Sequence, residues 1–427
     1  MTSALLDSPA IAQTPSVCHL PNGLTIVAQQ MPVEAVSLNV WLRVGSAVET
    51  DAINGVAHFL EHMIFKGTPH LKLGEFEQRI EQRGAATNAA TSQDYTHYYI
   101  TTAPDDFTTL APLQLDVLLN AELAAEAFTR ERLVVLEEIR RAADSAGRRV
   151  YRRAMTTCFA QLPYRRPVLG TEETVAALSV EQMRDFHARW YQPSRMTAVV
   201  VGNLPVEAMV ATVATACEQA LPERLVPPGY SKPLTPEPLL TAIARDEAID
   251  PQLQQARAIA LWRVPGLVDR EEAYALDVLA AVLGRGRLSR LYRDLREERR
   301  LVQAIGATNM THRWQGVFYI AAQLPAENLP RVEQAIADHL RRCQDEPVAA
   351  ADLDRICTQV ANHFIFSNER PGDRANIYGY YQSQLGDIAP ALNYPERIRA
   401  VTAADVQAAA QRYLNPEAYA FVSARPA

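Results

Sequence analysis

Cysteine is scarce in this chain and badly placed for chemistry. The five cysteines (Cys18, Cys158, Cys217, Cys343, Cys357) are scattered, odd in number and never spaced Cys-x-x-Cys. That pattern argues against a disulfide framework or a cysteine-built zinc site, and it suits a reducing compartment. No apolar run approaches the ~20 residues that a membrane span needs. Lys and Arg are missing before Arg43, so the N-terminal stretch has no positive n-region and no arginine-rich transit character; cytoplasm is the expected compartment. An excess of positive charge is lacking as well. The formal net charge is -7, which offers no field to gather nucleic acid. Basic runs such as "REERR" (296–300) are interleaved with acids and read as a solvated helix face.

What is present is ordinary in amount and unusual in arrangement. Hydrophobic content of 48% and charged content of 21% fit a folded, water-soluble protein. A chain of 427 residues is long for one core, so two domains of about 200 residues are expected. A proline-dense stretch, "LPERLVPPGYSKPLTPEPL" (221–239), interrupts the pattern near the midpoint and reads as a stiff linker. The expected division is 1–221, a linker over 222–238, and 239–427.

The two sides of that linker repeat one another. "LSVEQMRDFHARWYQPSRMTAVVVGN" (178–203) and "VTAADVQAAAQRYLNPEAYAFVSA" (401–424) each give a helix cap (Ser179, Thr402), an acidic first turn, a short helix, a proline and an apolar strand. "VSLNVWLRVGSAVE" (36–49) and "ARAIALWRVPGLVD" (256–269) each set a Trp-containing strand before a turn and a helix. Two matches in the same order, offset by about 220 residues, indicate duplication. The fold class expected is α+β, with two homologous mixed halves, each a mainly antiparallel sheet packed with helices. The halves differ where the first continues "GVAHFLEHMIFKG" and the second "YALDVLAAVLGRG".

On a helix His58, Glu61 and His62 fall at about 0°, 300° and 40°, all on one face. Two imidazoles one turn apart can share one ion, and their apolar neighbours Phe59, Leu60, Met63, Ile64 and Phe65 would bury the helix. The bland alternative is a buried helix with two incidental histidines. A catalytic zinc wants a third protein ligand and an open position. "FTRERLVVLEEIRRAAD" (128–144) is the best source, with Thr129 as cap and Leu133, Val135, Leu136 and Ile139 as a buried stripe. Glu131 and Glu138 lie seven apart on one side of that helix; one can ligate while the other orients a ligand, and spacing leaves the two unranked. Glu137 reads as a solvent-facing charge.

His-x-x-Glu-His inverts the common His-Glu-x-x-His motif and is the inverzincin pattern. "GVAHFLEHMIFKGT" and "ERLVVLEEI" resemble the M16 zinc metallopeptidases of the pitrilysin and mitochondrial processing peptidase type, most closely the processing-peptidase branch, along essentially the whole chain. The resemblance implies a clamshell of two homologous halves, only the first bearing metal. In that family the distal ligand stands seven residues after a Glu-Arg pair. The carry-over makes His58, His62 and Glu138 zinc ligands, Glu61 the general base and Glu131 a residue that orients a ligand. It also makes "GAATNAATSQDYTHYY" (84–99) the edge strand beside the metal, with Asn88 and Ala89 near the substrate backbone; the alternating Thr and Tyr residues otherwise read as a half-buried strand. The implied activity is zinc-dependent endopeptidase cleavage of extended or unfolded peptides.

The match thins in "SRLYRDLREERRLVQAIGA" (289–307), where Val302-Gln303 stands in place of an aromatic frequent in relatives. Tyr292 and the Arg and Tyr residues of "NERPGDRANIYGYY" (368–381) read as helix packing and surface charge. The expectation is therefore a dimer, with a homologous metal-free subunit or by self-association, that supplies an Arg and a Tyr to grip substrate. The competing class is a structural or chaperone subunit of the same fold, which would have no reason to keep His58, Glu61, His62 and Glu138 together.

Overall fold

A computed structural model describes residues 14–221, 226–229 and 232–427. Of the expected linker, 222–225 and 230–231 lie outside the described residues, as do residues 1–13 of the first half.

Among the described residues, eleven strands form two sheets. The first half supplies β1 (Ser16–His19), β2 (Thr25–Gln30), β3 (Val36–Leu42), β4 (Ala86–Thr91), β5 (Thr96–Thr102) and β6 (Met196–Gly202); the second supplies β7 (Ala244–Ile249), β8 (Ala256–Pro265), β9 (Ala304–Met310), β10 (Gln315–Leu324) and β11 (Ala420–Arg425). The strand orders are β1-β2-β6-β3-β5-β4 and β7-β11-β8-β10-β9. Apart from the extra β1, one order maps onto the other strand for strand. Even the single parallel pair recurs, β2 with β6 and β7 with β11. The duplication read from the flanking segments thus extends to the whole topology.

The helices that matter for the site are α1 (Val56–Ile64), α2 (Glu75–Gln82), α3 (Phe107–Leu119), α4 (Ala125–Asp144), α5 (Ala146–Cys158), α6 (Glu172–Ala177), α7 (Val180–Trp190) and α8 (Val206–Ala220) in the first half. The second half adds α9 (Arg270–Gly284), α10 (Leu329–Asp345), α11 (Ala350–Phe366), α12 (Pro371–Leu385), α13 (Ala389–Ala400) and α14 (Ala403–Tyr413). Ser179 and Thr402 cap α7 and α14, each in a reciprocal capping box, as the sequence requires.

Both sheets are covered on both faces, which is why β3 is buried along its entire length. Alternate residues of each strand serve different cores. On β3, Val36, Leu38, Val40 and Leu42 face the helices of the first half, whereas Trp41 faces α12. On β8, Ala258, Ala260, Trp262 and Val264 face the helices of the second half, whereas Ile259 and Leu261 face α5. The covers are therefore exchanged: α5 packs its Val150, Ala154 and Met155 on the second sheet, and α12 packs its Ala375, Tyr378 and Tyr381 on the first. The two tryptophans, which the repeats suggest are counterparts, sit one residue out of step and so point to opposite faces.

Candidate metal centre

The centre is built on α1, and α1 is built to be placed without play. Its first turn would leave backbone N–H groups orphaned. The buried Glu49 carboxylate takes that role, accepting from Gly55 N at 2.9 Å, Ala57 N at 2.8 Å and Asn54 Nδ2 at 2.8 Å. Burial still pushes the Glu49 carboxyl upward despite these donors. Gly55, with φ of 99°, lies against the Leu169 carbonyl, where a Cβ would come within 2.8 Å, so only glycine fits there. Phe59 then stacks on Phe128 with ring centroids 4.7 Å apart, which seats α4 against α1.

That packing brings the distant carboxylates to the histidines. Glu138 Oε2 stands 3.5 Å from His58 Nε2 and 3.4 Å from His62 Nε2. Glu131, two turns earlier, accepts from His62 Nδ1 at 3.0 Å and holds Lys66 Nζ at 2.8 Å. Because a carboxylate only accepts, that bond places a proton on Nδ1 and turns Nε2 toward Glu138. One ligand atom from each of His58, His62 and Glu138 falls within 4.8 Å of the other two, so these three could hold a metal ion together.

Glu61 projects beside them and accepts from the Thr91 hydroxyl at 2.5 Å. Thr91 ends β4, the outermost strand of its sheet, so among the described residues no strand pairs with its outer side, where Ala89 N donates to Asn88 Oδ1 at 2.9 Å. Along β4, Ala86, Asn88 and Ala90 are exposed while Thr87, Ala89 and Thr91 are half-buried. In β5 the alternation is buried and half-buried, and Tyr98 donates or accepts at Tyr191 Oη, 2.8 Å away.

The electrostatics are graded. Burial, aided by the neighbouring His62, pushes His58 down to about 4, so its imidazole is neutral at pH 7. At His62 burial is outweighed by the hydrogen bonds to Glu138 and Glu131, and the ring is raised. Burial raises Glu61, and Thr91 opposes it. The hydrogen bond from His62 holds Glu138 below the usual carboxylate range. Glu131 is lowered too, since Lys66 and His62 outweigh its burial.

Some expectations about α4 need correction. Thr129 is not its cap: the helix begins at Ala125 after Ala124, and the Thr129 hydroxyl donates to the Ala125 carbonyl inside it. Leu133 is not in the buried stripe but is 67% exposed, because Val135 and Ile139 with Phe128 already define the inward face. Glu49, Lys66 and Thr91 were missed as site residues. Of these, Lys66 had a signal, standing four residues past His62 just beyond the C-terminal end of α1. In the second half the aligned helix α9 has Ala280 and Ala281 in place of Glu61 and His62, and in place of His58 it has Asp277, hydrogen-bonded to Asn309 and Tyr394. Val302 is buried in the second core, and Tyr378 and Tyr381 pack against the first sheet.

Residues 25–172 match the family model described as insulinase (peptidase family M16), and residues 177–360 match that of the peptidase M16 inactive domain. An uncharacterized zinc protease of Streptomyces coelicolor is 30% identical over 401 residues, covering 93% of this chain and 86% of the relative. The chain belongs to peptidase family M16. Among further relatives, a zinc protease of Helicobacter pylori is 28% identical over 405 residues, covering 93% of this chain and 89% of the relative. A crystal structure of a protease from Helicobacter pylori superposes with a TM-score of 0.90 at 25% identity, over 97% of this chain and 100% of that one. An M16 inactive domain from Pseudomonas fluorescens shares the fold, with a TM-score of 0.87 at 19% identity. The M16 two-domain fold and a kinship with proteases are therefore established. No helix among the described residues is long and apolar enough to cross a membrane.

Proposed function

We propose that the chain is a zinc-dependent endopeptidase, with His58, His62 and Glu138 holding the metal, Glu61 as general base and Glu131 orienting His62. The observation that carries this reading is the spacing of the donors. Ligands at about 2.0–2.1 Å from one ion in a tetrahedral array stand ~3.3–3.5 Å apart, and Glu138 Oε2 lies 3.5 and 3.4 Å from the two imidazole nitrogens. The neutral state of His58 and the carboxylate behind His62 are what a zinc-ligating pair requires. Its relatives' names point to the same metal.

When bound, the ion supplies Lewis acidity that makes water a nucleophile near neutral pH. The residues of the chain do the rest. Glu61 takes a proton from water and returns it to the leaving amine, and its buried, raised carboxyl suits both directions of transfer. Thr91 engages Oε2 of Glu61 and holds the carboxylate in place for that exchange. The open side of β4, with Asn88 and Ala89, pairs with an extended peptide backbone, so substrates are unfolded or flexible segments. The division into a metal-bearing half (1–221), a linker (222–238) and a metal-free half (239–427) belongs to this reading. So does a dimer, with a homologous metal-free subunit or a second copy, that supplies the Arg and Tyr for gripping substrate; with a metal-free subunit as partner, the chain alone cleaves weakly.

Metal analysis and cleavage of an unfolded peptide test it. Wild-type protein should carry one zinc per chain and hydrolyse the peptide. Glu61→Gln should keep the metal and lose about 10²–10⁴-fold in rate. A chain that takes up no zinc, or a Glu61→Gln variant with undiminished hydrolysis, overturns the assignment. Full activity of the purified chain without any partner overturns the heterodimer.

A further inference from the structure

A cavity of about 450 Å³ opens between α4, α5 and the segment 165–173. Ile139, next to Glu138, forms part of its wall, and Gln93, two residues past Thr91 on the edge strand, forms another part. It thus lies between the helix that carries Glu138 and the turn that follows β4. Its inner surface is apolar, with Tyr151, Met155 and Leu169 beside Ile139.

Its rim is cationic. Arg148, Arg149, Arg152, Arg165 and Arg166 all border it. Three of these are neutralised: Arg149 pairs with Asp250, and Arg165 and Arg166 share Asp51. The acids on the rim are Glu172, which is bonded to Arg140, and Glu173, which lies within electrostatic reach of Arg152. Arg148 is different. Among the described residues its side chain has no hydrogen bond and no ion pair, and its one electrostatic partner is Glu138, which is turned toward the histidines. Arg148 and Arg152 also stand one turn apart on α5, where two like charges repel weakly and an anion between them is favoured. A hollow with apolar depth and one uncommitted guanidinium at its mouth fits a short side chain or chain end that carries a carboxylate.

We propose that this cavity is a substrate subsite that receives a peptide carboxylate, with Arg148 as its counter-ion. The proposal rests on the peptidase reading above, and it adds what that reading leaves open: a chemical preference next to the scissile bond. The carboxylate comes either from an Asp or Glu side chain or from the end of the peptide.

The test uses zinc-loaded Glu61→Gln protein, which binds without cleaving, and fluorescence anisotropy with labelled Ala/Ser peptides. One series scans a single Glu, against Gln, through every position; the other compares a free C-terminus with its amide. The expected result is one position, or the free terminus, that binds about tenfold more tightly than its neutral counterpart, a preference that fades with salt and vanishes in the added Arg148→Gln. Arg148→Lys should restore part of it. Arg148 is exposed, so an unchanged melting temperature is expected for both variants. Equal affinity throughout, no binding of any peptide, or a preference that survives Arg148→Gln overturns the subsite. Failure of the peptidase reading shows separately, as an absence of zinc or of wild-type hydrolysis; cleavage with no carboxylate preference sinks the subsite alone.

Discussion

Gly379 of α12 lies against the indole of Trp41 on β3, so close that any Cβ would overlap the ring. The contact belongs to a seam in which a helix from the second half roofs the sheet of the first. Gly379→Val should lift α12 from the sheet and lower stability by about 1–3 kcal/mol, the usual range for overpacking. Thermal denaturation measures it; an unchanged melting temperature would mean the seam yields at no cost.

The linker makes a second such joint. Glu237 accepts from the backbone N–H groups of Ala160, Gln161 and Leu162 and pairs with the buried Arg263 at 2.8 Å. These contacts hold Glu237 below the usual carboxylate range in spite of its burial. Glu237→Gln leaves the Arg263 charge buried without its partner, and a loss of about 3–5 kcal/mol is expected. Urea denaturation should show a lower midpoint, and Glu237→Asp should recover part of it.

Glu131→Gln tests the orientation of His62. The amide can still accept from Nδ1 but no longer balances Lys66 or the imidazole. Zinc affinity should fall by about 10–100-fold, read by competition with a chelator, while the fold stays intact. If affinity is unchanged, Glu131 is a surface ion-pair partner of Lys66 and nothing more.

Asp94 gives a pH signature. It is half-buried between the halves, accepting from Tyr164 Oη at 3.1 Å and from Arg313 N at 2.8 Å, and desolvation pushes its carboxyl up to about 6. A carboxyl with a raised folded-state pKa binds its proton more tightly in the native state than in the unfolded one. It therefore adds stability at low pH that is lost as pH rises from about 4 to 6. The melting-temperature difference between wild type and Asp94→Asn should move against wild type across that interval. A flat difference would show that Asp94 stays charged throughout.

Much of this was legible in the residues. The capped helices at Ser179 and Thr402 and the alternating strand at Thr96–Thr102 follow from local rules that act within a few residues, and the two repeated segments announced the duplication. The gathering of His58, His62 and Glu138 was expected from resemblance, while spacing left Glu131 and Glu138 equivalent. Only packing separates them: one reaches the Nε2 side of His62 and the other the Nδ1 side. The exchange of α5 and α12 was not legible, because an amphipathic helix states that it has an apolar face and not which sheet will meet it. Leu133 failed for a related reason, since helical periodicity permits a stripe wider than the one Val135 and Ile139 occupy.

The reciprocal roofing has a consequence for origin and for dissection. Two identical chains related by a two-fold axis, each lending one helix to the other, would show this same pattern once joined end to end. A cut in the proline-rich segment should accordingly yield fragments that are sticky apart and complement one another when mixed, and neither should be expected to fold by itself.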